Sequence, residues 1–214
     1  NSPITVDRIR DNYQIKDKIE IINPSIDTSR YYIAENTEDY YLIVSRLEKY
    51  KKVDLAINVF NKLGKPLKIV GRGMEAVKLK MEAKNNIEFL GGVSQEKLIE
   101  LYSKCKALIF PQHEDYGLTP LEANACGRPV IAYGKGGIET TMVPYNQSKQ
   151  DNAFTAVFFP EQNIDSLINA IKTCETLNID TNYIRKNAVK FDDSKFIYQI
   201  REYINKEYKR FMKN

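Results

Sequence analysis

The feature that most limits the possible folds of this chain is a regular alternation of short apolar runs with amphipathic segments. Near-continuous apolar runs occur at 41–45, 67–71, 87–91, 107–111 and 129–133. Such runs are typical of strands that are buried on both faces of a sheet. Two of the segments between them have helical patterns: 53–63 carries an apolar stripe that includes Ile57 and Phe60, and 94–105 begins at Ser94, a favoured N-cap residue.

Repeated strand and helix units join parallel strands through right-handed crossovers. We therefore predict an α/β fold, a Rossmann-like doubly wound parallel sheet followed by C-terminal helices. Helical patterns in the C-terminal part cover 163–177, 182–190 and 194–212. The segment 18–27 has the pattern of a strand that runs into a turn.

Composition and charge exclude several classes of protein. The 32 Lys and Arg residues exceed the 28 Asp and Glu residues by only four, and they are spread along the chain, so nucleic-acid binding has no special support. No apolar run reaches the roughly 18 residues that a membrane-spanning helix needs. The chain begins without an initiator Met or a signal peptide, and we expect it to be part of a longer protein.

The cysteines and the histidine predict neither disulfides nor a transition-metal site. Cys105, Cys126 and Cys174 are odd in number and far apart, which fits a reducing, cytoplasmic compartment, and we expect them to be buried thiols. The chain has a single histidine, His113, and no C-x-x-C pair. We interpret His113 as a neighbour of the candidate site described below rather than as a catalyst.

Basic residues follow the first predicted strand. In open parallel sheets, ligands bind beyond the carboxyl ends of the strands, and Arg46 lies at this edge while Lys51 opens the next helix. Positive charge at a helix start opposes the helix dipole unless an anion is bound there. This mismatch favours a phosphate site, and the alternative is a solvated basic turn.

The stretch GRGMEA at 71–76 fits the dinucleotide fingerprint G-x-G-x-x-A. It follows the second strand, whereas the fingerprint normally follows the first strand of the fold. The acid near the required spacing, Glu88, lies inside an apolar run. A tight turn with close backbone approach is therefore favoured, and an NAD-dependent oxidoreductase stays an alternative.

The stretch EDYGLTPLEANACGRPVIAYGKGG contains the start of another helix. Thr119 and Glu122 have the spacing of a capping box, with Pro120 at the first helical position. Glu122 could therefore serve only as a cap.

A capping box leaves Glu114 and Gly117 unexplained. At Gly117 the missing side chain lets an anion approach the free amides at the positive end of the helix dipole. Glu114 and Glu122 then lie on either side of a bound phosphate, where carboxylates can accept hydroxyl groups. The pattern predicts a nucleotide sugar as the ligand.

Three stretches together carry a family resemblance: EDYGLTPLEANACGRPVIAYGKGG, SRLEKYKKVDLAI and FLGGVSQEKLIELYSKCKALIFP. They resemble, in order over about residues 41–160, the donor-binding half of retaining glycosyltransferases of family 4, which have the GT-B fold. The amino-acid sequences of these motifs and of FFPEQNIDSLINAI are most similar to those of mannosyltransferases that use GDP-mannose in polysaccharide or O-antigen assembly. The resemblance implies a remnant of an N-terminal domain and linker at 1–39, a nucleotide-sugar-binding domain at 40–193 and a C-terminal helix at 194–214.

The resemblance also implies roles for individual residues. Arg46, Lys51 and Glu114 would be the catalytic set, in which the two cations grip the diphosphate and Glu114 contacts the transferred sugar. The remaining donor contacts would be the base near Gly92 and Val93, the diphosphate at the amides of Gly117, Leu118 and Thr119, and the ribose at Glu122.

The absence of a D-x-D pattern is consistent with metal-independent transfer, so we expect no metal and no cofactor beyond the donor substrate. Many relatives carry an acid three places after the second glycine of the glycine pair. Here Glu139 follows Gly137 by two places, which leaves its role open.

The C-terminal segment places apolar residues on one side, namely Phe196, Ile200, Tyr203, Ile204 and Phe211. Packing on its own domain or toward the missing N-terminal domain is favoured over docking at a membrane surface, which would make the protein peripheral at the inner face of the membrane. The expected partners are a nucleotide-sugar donor, a glycan or lipid-linked glycan acceptor and the missing domain, without nucleic acid. A non-catalytic nucleotide-sugar-binding protein is a further alternative.

Overall fold

The computed structural model describes residues 1–15, 19–148 and 153–213. Its strands are β1 (Tyr41–Val44), β2 (Leu67–Val70), β3 (Ile87–Gly91), β4 (Leu108–Phe110), β5 (Val130–Tyr133) and β6 (Ala156–Phe159). They form one parallel sheet in the order β3-β2-β1-β4-β5-β6. The predicted doubly wound α/β fold is confirmed, and the sequence analysis missed only β6 among these strands.

The helices flank the sheet. They are α1 (Pro3–Tyr13), α2 (Val53–Leu63), α3 (Ala76–Glu82), α4 (Gln95–Lys104), α5 (Leu118–Ala125), α6 (Ile138–Thr141), α7 (Ile164–Thr176), α8 (Thr181–Val189) and α9 (Asp193–Phe211). Ser94 caps α4 as predicted, because its side chain accepts a hydrogen bond from the Lys97 amide. The helices predicted at 53–63, 94–105, 163–177, 182–190 and 194–212 are all present.

The strand predicted at 18–27 is wrong. Residue 18 lies outside the described residues, and within 19–27 Ile26 makes only an isolated bridge with Asp192. The amide of Ile26 donates to the carbonyl of Phe191, so this segment lies against the chain that leads into α9 rather than beside an edge of the sheet.

Alternating side chains of the strands enter two cores, one on each face of the sheet. Tyr41 and Ile43 of β1 face α2 and α7, whereas Leu42 faces α4 and α5. This alternation is the reason that the strand reads as a continuous apolar run in the sequence. The three cysteines are free and buried, as expected, and burial raises the pKa of Cys126 and of Cys174 to about 12.

Helix α9 contributes little to these cores. None of its described side chains is buried, and Ile204, Tyr208 and Phe211 are exposed. Phe196 and Ile200 of the predicted apolar stripe are half-buried, so only the first part of α9 packs on its own domain. Packing toward an N-terminal domain stays a prediction. In the described part of the chain, no helix combines the length and apolar character needed to cross a membrane.

Asp192 ties the start of α9 to the segment before β1. Its carboxylate accepts hydrogen bonds from the Ser194 amide at 3.0 Å and from the Thr28 hydroxyl. The hydrogen bonds from Ser194 and then from Thr28 hold the pKa of Asp192 below its ordinary value of 3.8.

We expect Asp192→Ala to lower the free energy of unfolding at pH 7 by about 1–2 kcal/mol, the loss typical of a helix N-cap. Because the pKa of Asp192 is depressed in the folded state, its contribution is complete above pH 4 and is lost as the pH falls further. The difference between wild type and variant should therefore shrink below about pH 4. Urea unfolding across pH 3–7 measures it, with Asp193→Ala as control, and a difference that persists unchanged at pH 3 would contradict this assignment.

Candidate functional site

The strand order creates a crevice at the carboxyl edge of the sheet. From β1 the chain adds β2 and β3 on one side and β4, β5 and β6 on the other, so the connections after β1 and β4 diverge. In open α/β sheets this switch point is where ligands bind. A cavity of about 350 Å³ lies here, between the segments that follow the two strands.

Two cations and one carboxylate line this cavity. Arg46 is the second residue after β1 and is exposed, with its guanidinium donating to the Tyr50 hydroxyl at 2.7 Å. Lys51 ends a short 3-10 turn before α2, and its ammonium forms an ion pair with Glu114 across the crevice. The Lys51 side chain is only 11% exposed, and burial, followed by the charge of Arg46, lowers its pKa.

The start of α5 faces the same cavity. Gly117 is the N-cap residue with φ +92°, and no side chain caps this helix end. Gly117, Leu118 and Thr119 all line the cavity. Because the first amides of a helix have no intrahelical acceptor, this end offers donors to an anion.

The predicted capping box is wrong. The helix begins at Leu118, so Thr119 lies inside its first turn and Pro120 is its third residue. A glycine with positive φ at the N-cap sets this start, since its backbone conformation turns the chain into the helix without a capping side chain.

Two glycines of the loop after β5 position Glu114. The Gly137 amide donates to the Glu114 carbonyl at 2.7 Å, and a Cβ on Gly137 would lie 2.2 Å from the Asp115 carbonyl oxygen. Glu139, whose role the sequence left open, accepts a hydrogen bond from the Gly136 amide at 3.0 Å. Its carboxylate therefore stabilises this loop.

The glycines of GRGMEA allow two loops to touch. A Cβ on Gly71 would lie 1.8 Å from the Ser45 carbonyl oxygen, and one on Gly73 would lie 2.3 Å from that of Leu47. These glycines pack against the loop after β1. The interpretation as a tight turn with close backbone approach agrees with this geometry.

Glu122 does not line the cavity. The hydroxyl of the fully buried Tyr102 on α4 donates to Oε2 of Glu122 at 2.6 Å. Burial, followed by the Glu122 carboxylate, raises the pKa of both Tyr102 and Tyr31. The only sequence signal for this contact is a general one: the hydroxyl group of a buried tyrosine requires a hydrogen-bond partner.

Gly92 and Val93 follow β3, two strands away from β1. Adjacent strands are about 4.8 Å apart, so these residues lie roughly 10 Å from the end of β1. The Arg72 guanidinium covers Gly92, because a Cβ there would lie 3.1 Å from Arg72 Nε. Exposed His113 follows β4 but does not line the cavity.

The structure therefore brings together six of the nine sequence-predicted site residues, namely Arg46, Lys51, Glu114, Gly117, Leu118 and Thr119. Gly92, Val93 and Glu122 lie outside this cavity. The sequence analysis missed contributions from the N-terminal segment: Pro24 lines the cavity, and Arg8 of α1 forms an ion pair with Asp115 at 2.7 Å. No local pattern marks these contacts.

Comparison with known proteins adds independent information. Residues 27–191 match the family model described as Glycosyl transferases group 1. A probable sucrose-phosphate synthase of Thermosipho melanesiensis is 32% identical over 145 residues, which cover 58% of this chain and 34% of that protein. An O-antigen chain mannosyltransferase of Salmonella typhimurium is 31% identical over 135 residues, which cover 58% of this chain and 38% of that protein.

Among solved structures, sucrose-phosphate synthase from Thermosynechococcus elongatus superposes with a TM-score of 0.79 at 19% identity, covering 98% of this chain and 58% of that chain. At this identity the likeness shows a shared fold. The chain spans only 34% and 38% of the length of the two curated relatives.

Proposed function

Because the chain belongs to the glycosyl transferases of group 1, we propose that it is the donor-binding domain of a retaining family 4 enzyme with the GT-B fold. The proposed donor is GDP-mannose, and the hexose is transferred to a saccharide or lipid-linked acceptor in polysaccharide or O-antigen biosynthesis. Family membership supports the transferase. Support for mannose comes from the amino-acid sequence of the motifs and from the relative named as an O-antigen chain mannosyltransferase.

One observation carries this proposal. At the switch point of the sheet, the cations Arg46 and Lys51 and the uncapped start of α5 line one cavity. A diphosphate placed there would meet two positive side chains and the positive end of a helix. In the structure the Lys51 ammonium group is paired with the Glu114 carboxylate. We therefore expect the diphosphate to compete with this carboxylate for Lys51.

This arrangement suits cleavage of the bond between sugar and phosphate. As that bond breaks, negative charge grows on the leaving diphosphate, and fixed cations and amides stabilise it most in the transition state. Removal of one such donor typically costs about 2.7–4 kcal/mol of transition-state stabilisation. In this proposal the two basic side chains and the helix end do the work for which other transferases use a divalent ion, so no metal and no further cofactor are required.

The carboxylates complete the proposed donor site. Glu114 lies in the cavity beside the proposed diphosphate and would contact the transferred sugar. Glu122 would accept the ribose hydroxyls, with Tyr102 holding one carboxylate oxygen in place. The base would extend toward Gly92 and Val93.

The dinucleotide alternative has little support. The fingerprint follows β2 instead of β1, and its glycines make close backbone contacts with Ser45 and Leu47.

With a lipid-linked acceptor, the whole enzyme would work in the cytoplasm at the inner face of the membrane.

A thermal-shift panel of GDP, UDP and ADP sugars tests the proposal. At a ligand concentration one hundred times its Kd, a bound donor stabilises by about 2.7 kcal/mol, which for a chain of this size raises the Tm by roughly 5–10 °C. We expect GDP-mannose and GDP to give this shift. An unchanged Tm with every sugar nucleotide would overturn the proposal, and binding without transfer by the whole protein would indicate a non-catalytic binding protein.

A further inference from the structure

A second cavity lies at the opposite, amino edge of the sheet. Its volume is about 580 Å³, and it is lined by the chain before β1, β2, β4 and β5 together with the end of α7. We call it the amino-edge cavity; its charged lining residues are Lys65, Lys106, Arg128 and Glu175. A strand of four residues is about 13 Å long, so this cavity is separate from the candidate donor site at the carboxyl edge.

Arg128 is the unusual member of this lining. Its side chain lies before β5 and the residue is only 6% exposed. Nε donates to the Ser103 carbonyl at 2.7 Å and Nη2 donates to the Ala34 carbonyl at 3.3 Å. Within the described ranges, Arg128 forms no ion pair with a carboxylate, and Nη1 makes no hydrogen bond.

The unpaired nitrogen keeps some contact with solvent, and Arg128 is a lining residue of the cavity. In the described part of the chain every fully buried polar side-chain atom has a hydrogen-bond partner, so Nη1 of Arg128 is not sealed in the core. Buried charges are normally paired because removing a charge from water is costly. Two backbone carbonyls accept hydrogen bonds from this guanidinium and offset part of the cost of burying its charge. Nη1 is left as a donor for an anion.

The two lysines around the cavity are each paired with a carboxylate. Glu175 is already engaged, since Lys65 lies 2.7 Å from its carboxylate and the Tyr41 hydroxyl donates to it at 2.7 Å. Lys106 pairs with Asp39, an acid outside the lining whose side chain is 75% exposed. An exposed pair of this kind is weak and can be displaced by a ligand.

We propose that the amino-edge cavity binds a phosphate dianion through Arg128 and Lys106. The lining carries three cations and one carboxylate, and Asp39 pairs with Lys106 from outside it. Once a ligand displaces Asp39, two positive charges are left, which a dianion neutralises. Ala107, Leu177 and Ile179 form an apolar wall, so the same site has room for a small organic group attached to the phosphate. The shared chemistry is the phosphate group, supplied either as inorganic phosphate or as a small phosphate ester.

Calorimetric titration with inorganic phosphate and with glycerol 3-phosphate tests the proposal. An Arg46→Ala background at constant ionic strength reduces binding at the candidate donor site. We expect Lys106→Gln to weaken phosphate binding about threefold and Arg128→Gln to weaken it about tenfold or more. Lys68→Gln, which removes a nearby lysine outside the lining, should leave the affinity unchanged.

Each outcome is informative. Absence of phosphate binding, or equal affinities for Lys106→Gln and its parent, overturns the proposal even if Arg128→Gln fails to fold. Acetate that binds as tightly as phosphate also overturns it, because a monoanion would then suffice. If the variants behave as expected, the comparison of the two ligands identifies the source of the phosphate group. Glycerol 3-phosphate that binds at least tenfold more tightly than inorganic phosphate indicates an organic phosphate ester as the ligand, and equal affinities of the two indicate inorganic phosphate.

Discussion

Arg46→Ala is expected to weaken the binding of GDP-mannose by roughly tenfold to a hundredfold, the range for loss of one hydrogen bond to a charged group. The Arg46 side chain is exposed and donates only to the Tyr50 hydroxyl in the described structure. Its removal should therefore change the free energy of unfolding by less than about 0.5 kcal/mol. Calorimetric titration of the donor, together with urea unfolding of the free protein, separates the two effects.

Arg201→Ala is the matched control for this experiment, because Arg201 is an exposed arginine on α9, far along the chain from the cavity. It should bind the donor like the wild type. Lys51→Ala is a poorer probe, since it removes the partner of Glu114 and leaves a half-buried carboxylate unpaired. If Arg46→Ala bound the donor with wild-type affinity, the diphosphate would not contact Arg46, and its proposed position in this part of the crevice would be wrong.

Gly137→Ala is expected to disturb both stability and the candidate site. Its Cβ would lie 2.2 Å from the Asp115 carbonyl oxygen and 2.4 Å from Tyr116 Cα, so the backbone that carries Glu114 has to move. Overpacking of this kind costs about 1–3 kcal/mol or more. Because Glu114 and the start of α5 belong to the displaced segment, we also expect donor affinity to fall at least about tenfold, as for a lost charged contact. Urea unfolding and donor titration measure the two losses.

Gly64→Ala separates local strain from damage to the site. Gly64 ends α2 with φ +66°, and no atom lies within 4 Å of a Cβ placed there. This substitution should cost about 1–2 kcal/mol through its backbone conformation alone and leave donor binding unchanged. If Gly137→Ala retained wild-type affinity, the loop after β5 would not be what positions Glu114.

The regular elements with strong periodicity were predictable from the sequence. Strands β1 to β5 and helices α2, α4, α7, α8 and α9 begin and end within one or two residues of their predicted bounds. Burial on two faces, or along one helical stripe, dictates the order of apolar residues within each of these elements. The pattern fails where an element is short or where its ends depend on neighbours, as in β6, α3 and α6.

The helix start at Gly117 shows how local patterns can mislead. The capping box at Thr119 is a good sequence signal, but the positive φ of Gly117 lets the helix start two residues earlier, at Leu118. Glu122 is then free of a capping role, and its carboxylate turns to Tyr102.

The sequence by itself determined that this chain forms parallel strands and that Arg46 and Glu114 follow two of them. Only the tertiary structure decided that those two strands, β1 and β4, are neighbours, so that Lys51 meets Glu114 across 63 positions of the chain. The same holds for Arg128 at the opposite edge of the sheet. The physical reason is that periodicity records burial within one element, whereas ion pairs and cavities depend on strand order and on packing between distant segments.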